Sequence, residues 1–177
     1  MTARFASVGH SNRPLDEFLD ILRHGRVDLV VDVRSFPRSR SNPAFNIDSL
    51  PDDLEKVQIG YCHMPDLGGR RNRQPDVDEA TNAMWRVRSF QNYADYALGD
   101  TFGAAFRALL AEGEKRRLAM MCSEAVWWRC HRRIITDHFL AAGHAVDHLM
   151  GSERIDAAEM TRGACVRADG KVVYPAA

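Results

Sequence analysis

Reactive side chains are concentrated in one segment of the chain. The run Leu118 to Met121 has the composition of a strand that is buried on both faces. Cys122 and Glu124 follow it directly, and a Cys-His-Arg triplet comes at positions 130–132, where an apolar helical stripe begins. Proteins use thiols, carboxylates and imidazoles as nucleophiles and as general acids or bases. The segment therefore predicts a catalytic site between a strand end and the first turn of a helix.

Three arginines surround the predicted start of this helix, although cations oppose the helix dipole there. Arg129, Arg132 and Arg133 lie in or beside the first turn, where an exposed cation costs about 0.3–1 kcal/mol. Violations of local rules tend to occur at functional sites. Together with the free N–H groups of the turn, these arginines favour an anion. The alternative is that they pair with carboxylates such as Glu124 or Asp137 and only hold the loop.

Polar side chains also follow the other predicted strands. Because the carboxyl ends of parallel strands meet at one edge of a sheet, we expect these groups to share a single cleft. The candidates for catalysis are Cys122, Glu124, His131, Asp32 and His10. The candidates for substrate binding are Ser11, Arg34, Gly68, Gly69, Arg70, Tyr93 and Arg132.

Each candidate also has a structural interpretation. Asp32 can cap the backbone N–H groups of the next loop, and Arg34 can merely pair with it. Cys122 can be an inert buried thiol, although a strand end beside arginines is where a thiol pKa falls. Cys130 is interpreted as a core residue, since Ile134 lies one helical turn further on.

Strand and helix patterns alternate along the chain and predict an α/β fold. We expect residues 1–150 to form a single three-layer domain of about five mostly parallel strands with helices on both faces. Asp169-Gly170, between two valine-containing segments, predicts a small hairpin. Residues 151–177 are therefore predicted to be a C-terminal extension that packs on or near the same domain.

Composition narrows the class of protein. The 24 basic residues balance the 24 acidic ones, so no global charge attracts nucleic acid or a membrane. No apolar run approaches the roughly 18 residues of a membrane span, and no signal peptide is recognisable. The four scattered cysteines indicate free thiols in a reducing compartment. We expect a cytoplasmic protein without a membrane partner.

Motifs for metals and common cofactors are missing from the sequence. The chain has no Cys-x-x-Cys pair and no His-Glu-x-x-His motif. It also has no phosphate-binding Walker loop and no dinucleotide glycine fingerprint. We therefore predict neither a metal site nor a cofactor.

Several short motifs occur in order from about residue 6 to 150. They are Val8–Ser11 with Phe18 and Leu22, Val31–Arg34 with Pro37, Phe45, Tyr61, His63, Pro65, Leu67–Gly69, Phe90 with Tyr93-Ala94, Met121–Glu124 and Cys130–Arg132. In these motifs, which cover most of its length, the chain resembles the DUF488 family of uncharacterised bacterial and archaeal proteins. The family's activity is not established, so the resemblance implies a site rather than a reaction: a thiol and a carboxylate after one strand, and Cys-His-Arg opening a helix.

A fainter likeness is to rhodanese-type sulfurtransferases. The run Leu29 to Arg34 resembles the rhodanese strand that ends in Asp-x-Arg. This likeness implies that Cys122 carries a persulfide and that Arg129 helps to hold an anion. The loop between them is longer than the rhodanese cradle and lacks its glycine, and Glu124 would repel an anionic substrate.

These observations favour an enzyme that binds a phosphate-bearing or other anionic substrate, such as a nucleotide or a nucleic-acid end, in a cleft at the strand ends. Arg34, Arg70 and Arg132 would contact the anion. One alternative is a rhodanese-like sulfurtransferase or thiol phosphatase that uses Cys122. The other is a non-catalytic module that binds nucleic acid.

Overall fold

The computed structural model describes residues 5–177, in which strands and helices alternate over most of the chain. The strands are β1 (Phe5–Gly9), β2 (Leu29–Asp32), β3 (Gly60–His63), β4 (Leu118–Cys122), β5 (Val146–Gly151), β6 (Arg154–Ala157), β7 (Cys165–Val166) and β8 (Val172–Val173). The helices are α1 (Leu15–His24), α2 (Leu50–Glu55), α3 (Arg88–Tyr96), α4 (Asp100–Lys115) and α5 (Arg132–Ala141). None of the helices in this described part is long and apolar enough to cross a lipid bilayer.

Six strands form the central sheet, in the spatial order β3-β2-β4-β1-β5-β6. The first five run parallel, and β6 pairs antiparallel with β5 at one edge. The predicted mostly parallel α/β sheet is confirmed, with six strands where about five were expected. No apolar pattern indicated β6, because its side chains are mostly exposed and form no apolar run.

Alternate side chains of each strand enter two separate cores, one on each face of the sheet. Val30 and Ala119 pack with residues of α1 and α2. Val31 and Met120 face the other way and pack with residues of α3, α4 and α5. The helices therefore lie on both faces, as in the predicted three-layer arrangement.

Residues beyond position 150 are tied to this framework. β6 extends the sheet, and Tyr174 is fully buried in the core that contains α5. The predicted hairpin is formed by β7 and β8. The Arg167 N–H donates to the Lys171 carbonyl at 2.8 Å, and this hydrogen bond closes a loop of three residues, one more than the Asp169-Gly170 pair. Gly170 takes the positive φ of 83° that this loop needs.

The strand register decides which side chains meet at the carboxyl edge of the sheet. Gly9 at the end of β1 is in register with Cys122 at the end of β4. Asp32 at the end of β2 is in register with His63 on β3 and with Met121 on β4. The loops that leave these four strands therefore begin side by side, and they build the site described below.

Candidate active site

A pocket of about 490 Å³ lies at the carboxyl edge of the sheet, between the loops that follow β1, β2, β3 and β4. The residues predicted from sequence that line it are His10, Arg34, Gly69, Arg70, Cys122, Glu124 and His131. Cys130 and Arg129 line it as well. Ser11, Asp32, Gly68, Tyr93 and Arg132 lie outside the lining.

Two cysteines touch at the pocket, and the sequence singled out only one of them. The Sγ atoms of Cys122 and Cys130 are 2.6 Å apart, and both side chains are buried. Cys122 ends β4, whereas Cys130 has an extended backbone, with φ −124° and ψ 146°, just before α5. Because Cys130 is outside the helix, helical spacing could not indicate its direction. It belongs to the apolar core, as interpreted, but it also faces Cys122 and the pocket.

Arg132 lies directly behind the thiol pair rather than in the pocket. Its side chain is completely buried, and Nη1 donates to the Sγ of Cys122 and, at 2.7 Å, to the Glu124 carbonyl. Nε donates to the Ser7 hydroxyl at 3.2 Å, and Nη2 donates to the Ala125 carbonyl at 3.3 Å. Among residues 5–177 no carboxylate forms an ion pair with Arg132. Its charge is therefore balanced by sulfur and by uncharged oxygens.

This environment splits the acidities of the two thiols. Burial raises the pKa of Cys130, but its hydrogen bond with Cys122 and the charge of Arg132 outweigh burial, and the pKa falls to about 7. Burial and the neighbouring Cys130 sulfur raise the pKa of Cys122 well above its usual value. Such a pair loses its first proton readily and retains the second. Near neutral pH the two sulfurs therefore share one negative charge beside Arg132.

His131 is oriented so that one ring nitrogen faces the thiol pair. Its Nε2 donates to the Val33 carbonyl at 2.8 Å, which leaves Nδ1 as the acceptor of a neutral ring. Nδ1 lies 3.5 Å from the Sγ of Cys130. Burial lowers the pKa of His131, so the ring is neutral near pH 7 and its Nδ1 can accept a proton from Cys130.

Two predicted residues hold His131 in place: Gly69, which lines the pocket, and Tyr93, which lies outside the lining. A Cβ on Gly69 would come 2.6 Å from Nδ1 of His131, so only glycine fits here without displacing the ring. The Tyr93 ring packs edge-on against the His131 ring with 5.0 Å between centroids, and its hydroxyl donates to the Leu67 carbonyl at 2.8 Å. A Cβ on Gly68 would likewise come 2.5 Å from the Oγ of Ser35.

A second cluster, centred on Arg34, lies at the end of β2. Arg34 donates to both carboxylate oxygens of Asp32, at 2.9 and 2.8 Å, and to the Phe45 carbonyl at 2.7 Å. Tyr61 donates to the same carboxylate at 2.5 Å. Asp32 is fully buried and Arg34 is nearly so. The carboxylate and guanidinium predicted as catalytic and anion-binding groups therefore satisfy each other.

His10 belongs to the same cluster. Its Nδ1 donates to the Ser11 carbonyl at 2.7 Å, and its Nε2 accepts from Arg34 at 3.2 Å. Its ring stacks on Phe45 with 4.5 Å between centroids. Burial lowers the pKa of His10 to about 4, against which the bond to Ser11 works only in part. Ser11 itself turns the chain, with a positive φ of 49°.

The mouth of the pocket is cationic and partly aromatic. Arg70 and Arg129 are exposed there, and among residues 5–177 neither forms an ion pair with a carboxylate. Phe36 is 64% exposed, and the Arg70 guanidinium lies 5.1 Å from the centre of its ring. Glu124 is the one carboxylate among the lining residues that the structure describes, and its side chain is exposed.

A relay of buried groups that sequence reasoning missed supports Arg132 from behind. Since Ser7 accepts from Arg132, its hydroxyl donates to Nδ1 of His148. The His148 ring stacks on Trp127 with 4.7 Å between centroids. Burial and the charge of Arg132 lower the pKa of His148 to about 3. Nothing in the sequence indicated the partners of His148.

The described residues do not suggest a metal centre. Among residues 5–177, no group of three or more His, Cys, Asp or Glu side chains is arranged to hold a metal ion. The groups nearest to such a set are the two cysteines and His131, whose Nε2 is already bound to the Val33 carbonyl. The side chains available for chemistry at the pocket include two thiols, imidazoles, arginines and the carboxylate of Glu124.

Comparisons with known proteins identify the family. The family model described as "Domain of unknown function DUF488" matches residues 14–139, which include both pocket cysteines and Arg132. Searches among curated proteins and among solved structures found no match. None of the three comparisons shows a relation to rhodanese-type sulfurtransferases. The matched region is more than half of the chain, and the protein therefore belongs to the DUF488 family.

Proposed function

We propose that this protein is an enzyme that uses the thiolate of the Cys122–Cys130 pair as a nucleophile toward an anionic, phosphate-bearing substrate. One observation carries the proposal. The buried guanidinium of Arg132 has no carboxylate partner among the described residues and donates to Cys122 at the wall of a pocket whose mouth is cationic. A cation in this position stabilises a thiolate, the reactive form of cysteine.

The other candidates for acid–base chemistry are less available. Asp32 is saturated by Arg34 and Tyr61, and both ring nitrogens of His10 are engaged. Glu124 is exposed, and among residues 5–177 its carboxylate forms no ion pair. His131 is the exception, because its Nδ1 faces Cys130. We therefore assign it the role of the base that takes the thiol proton.

The cationic mouth supports an anionic substrate. Arg70 and Arg129 present guanidinium groups without ion-pair partners in the described chain, and arginine matches phosphate oxygens in a bidentate manner. In the proposed reaction the thiolate attacks the phosphorus atom of the substrate, and the bond from phosphorus to the leaving group breaks. The phosphoryl group is then bound to the cysteine sulfur. Water attacks this intermediate, releases phosphate and restores the thiolate.

Protection from alkylation tests the anion-binding part of this proposal. Trypsin cleaves after Arg117, Arg129 and Arg132, so Cys122 and Cys130 fall in separate peptides. We expect inorganic phosphate or a nucleoside monophosphate to slow iodoacetamide labelling of these two peptides, whereas labelling of Cys165, which is exposed, stays unchanged. Equal labelling with and without anions would contradict the proposal.

Matched variants locate the protection. The double variant Arg70→Ala/Arg129→Ala should lose most of the protection, because it removes both unpaired cations at the mouth. Arg107→Ala removes an exposed arginine on α4, outside the pocket, and should retain it. Loss of protection in Arg107→Ala as well would show that the anions act through general ionic strength.

A specific observation favours a nucleotide or a nucleic-acid end within the class of phosphate compounds. Phe36 exposes its ring at the mouth beside Arg70, an arrangement on which a base can stack. A nucleoside monophosphate should then protect the cysteines better than inorganic phosphate, and Phe36→Ala should abolish that difference. If the chain only bound nucleic acid, binding would depend log-linearly on salt and no substrate would be turned over.

A further inference from the structure

We infer that Cys122 and Cys130 form a reversible disulfide, and that small-molecule disulfides entering the pocket oxidise the pair. This goes beyond the proposed function, because it requires no anionic substrate. A disulfide bond holds its sulfurs about 2.05 Å apart. The two Sγ atoms lie 2.6 Å apart as free thiols, so they approach each other by only a small movement.

The chain around the two thiols permits that movement. Cys122 is fixed at the end of β4, but Cys130 lies in extended backbone between a short turn of helix at Trp127–Arg129 and the start of α5. The segment between the cysteines carries exposed residues such as Ser123 and Trp128. Cys130 can therefore approach Cys122 by adjusting a segment that lies between β4 and α5 and outside both.

Arg132 remains satisfied when the thiolate is consumed. Oxidation removes the negative sulfur that accepts from Nη1, but the carbonyls of Glu124 and Ala125 and the Ser7 hydroxyl still accept from the guanidinium. The buried cation keeps three oxygen partners in the disulfide form. Oxidation thus leaves no buried donor group of Arg132 without any partner.

The exchange balances with a small disulfide as the oxidant. The thiolate of the pair attacks one sulfur of RSSR and expels RS⁻, which leaves a mixed disulfide on the protein. The second protein thiol loses its proton, attacks the protein sulfur of that mixed disulfide and expels the second RS⁻. The two cysteines are oxidised and the small disulfide is reduced to two thiols. The product has no free thiol at the pocket, so oxidation reversibly switches off thiolate chemistry there.

Peptide mapping after oxidation tests this inference on the intact chain. The protein is incubated with glutathione disulfide, quenched with N-ethylmaleimide in acid, unfolded and digested with trypsin. We expect the peptides of residues 118–129 and 130–132 to appear joined by a disulfide, and dithiothreitol to separate them. Recovery of both peptides as maleimide adducts, or of a stable glutathione adduct without the cross-link, would overturn the inference.

Variants distinguish resolution within the pair from reactions at the other cysteines. Cys62→Ser/Cys165→Ser removes the two thiols outside the pair and should leave the cross-link unchanged. Cys122→Ser should instead accumulate one glutathione on Cys130, because no second thiol resolves the mixed disulfide. A Cys122→Ser protein that accumulates no more adduct than wild type would also overturn the inference. The cross-link forms without phosphate, so its failure is distinguishable from a failure of anion protection.

Discussion

Two buried arginines lie behind neighbouring strand ends, and their charges are balanced in opposite ways. Arg34, after β2, donates two hydrogen bonds to the carboxylate of Asp32. Arg132, after β4, donates to the thiol of Cys122 and to uncharged oxygens. A carboxylate is ionised at every physiological pH, whereas a thiol ionises only where its surroundings favour the charge. The carboxylate of Asp32 therefore neutralises Arg34, whereas the thiols beside Arg132 remain able to react.

The difference shows how a fold can use one residue type for structure and for chemistry. Where a buried arginine has no carboxylate partner, its positive charge stabilises the ionised form of the nearest acidic group. At the end of β4 that group is the Cys122–Cys130 pair, which accommodates a single charge between two sulfurs. The arginine thus favours the thiolate without entering the pocket itself.

The largest loss of stability should come from breaking the buried ion pair between Asp32 and Arg34. Asp32→Ala leaves Arg34 buried without its carboxylate, and breaking such a pair costs about 3–5 kcal/mol of unfolding free energy. Chemical denaturation measures the loss. Asp48→Ala, which breaks the exposed pair with Arg38, is the matched control and should cost about 0–1 kcal/mol. Similar small losses in both variants would show that the Arg34 cluster is not the stabilising one.

Arg132→Met removes the cation beside the two thiols and should change the cysteine pKa more than the stability of the protein. We expect a loss of about 1–3 kcal/mol, because the Glu124 and Ala125 carbonyls lose their donor. The lowest cysteine pKa should rise from about 7 to at least the roughly 8.5 of a free thiol. Arg129→Met, at the exposed mouth, should leave that pKa nearly unchanged. An unaltered cysteine pKa in Arg132→Met would show that Arg132 does not stabilise the thiolate.

Gly69→Ala should disturb the imidazole that faces the thiols. The new Cβ would lie 2.6 Å from Nδ1 of His131, and relieving that contact is expected to cost about 1–2 kcal/mol. The displaced ring should also slow alkylation of Cys130. Gly151→Ala, whose Cβ would meet no atom within 4 Å, is the control and should do neither. If Gly69→Ala alters stability but not alkylation, His131 has no role as the base.

The smallest change in stability should follow Glu124→Gln. This variant tests whether catalysis depends on the thiols or on the carboxylate of Glu124. Glu124 is exposed, so stability should change by less than about 0.5 kcal/mol. Removing its negative charge from the cationic mouth should strengthen protection by phosphate a few-fold. Weaker protection, or a change in the cysteine pKa comparable to that of Arg132→Met, would assign Glu124 a larger part.

The sequence predicted the framework of the site well because strand ends carry local signals. The apolar runs before Asp32 and Cys122 are buried on both faces, and parallel order alone brings the groups that follow them to one edge. What could not be predicted depends on contacts between distant segments. His148 is 141 residues from Ser7 along the chain, and no periodicity indicates that they share a hydrogen bond.

The roles suggested for two residues changed for a local reason. The sequence placed Arg129 and Arg132 together in a helical first turn, facing an anion. In the structure α5 begins at Arg132, whose side chain points back under the sheet edge, while Arg129 lies in a preceding turn and is exposed at the pocket. A shift of the helix start by a few residues is a common uncertainty in sequence patterns, and here it separates a positioning group from an anion contact.

The most direct test of the account is the pH dependence of alkylation at each cysteine of the native protein, measured by peptide mass spectrometry. We expect the Cys122–Cys130 pair to react with a midpoint near 7, below the roughly 8.5 of a free cysteine in solution. If both pocket cysteines react with a midpoint of roughly 8.5 or above, or remain unreactive at every pH, Arg132 does not sustain a thiolate and the proposed nucleophile is contradicted.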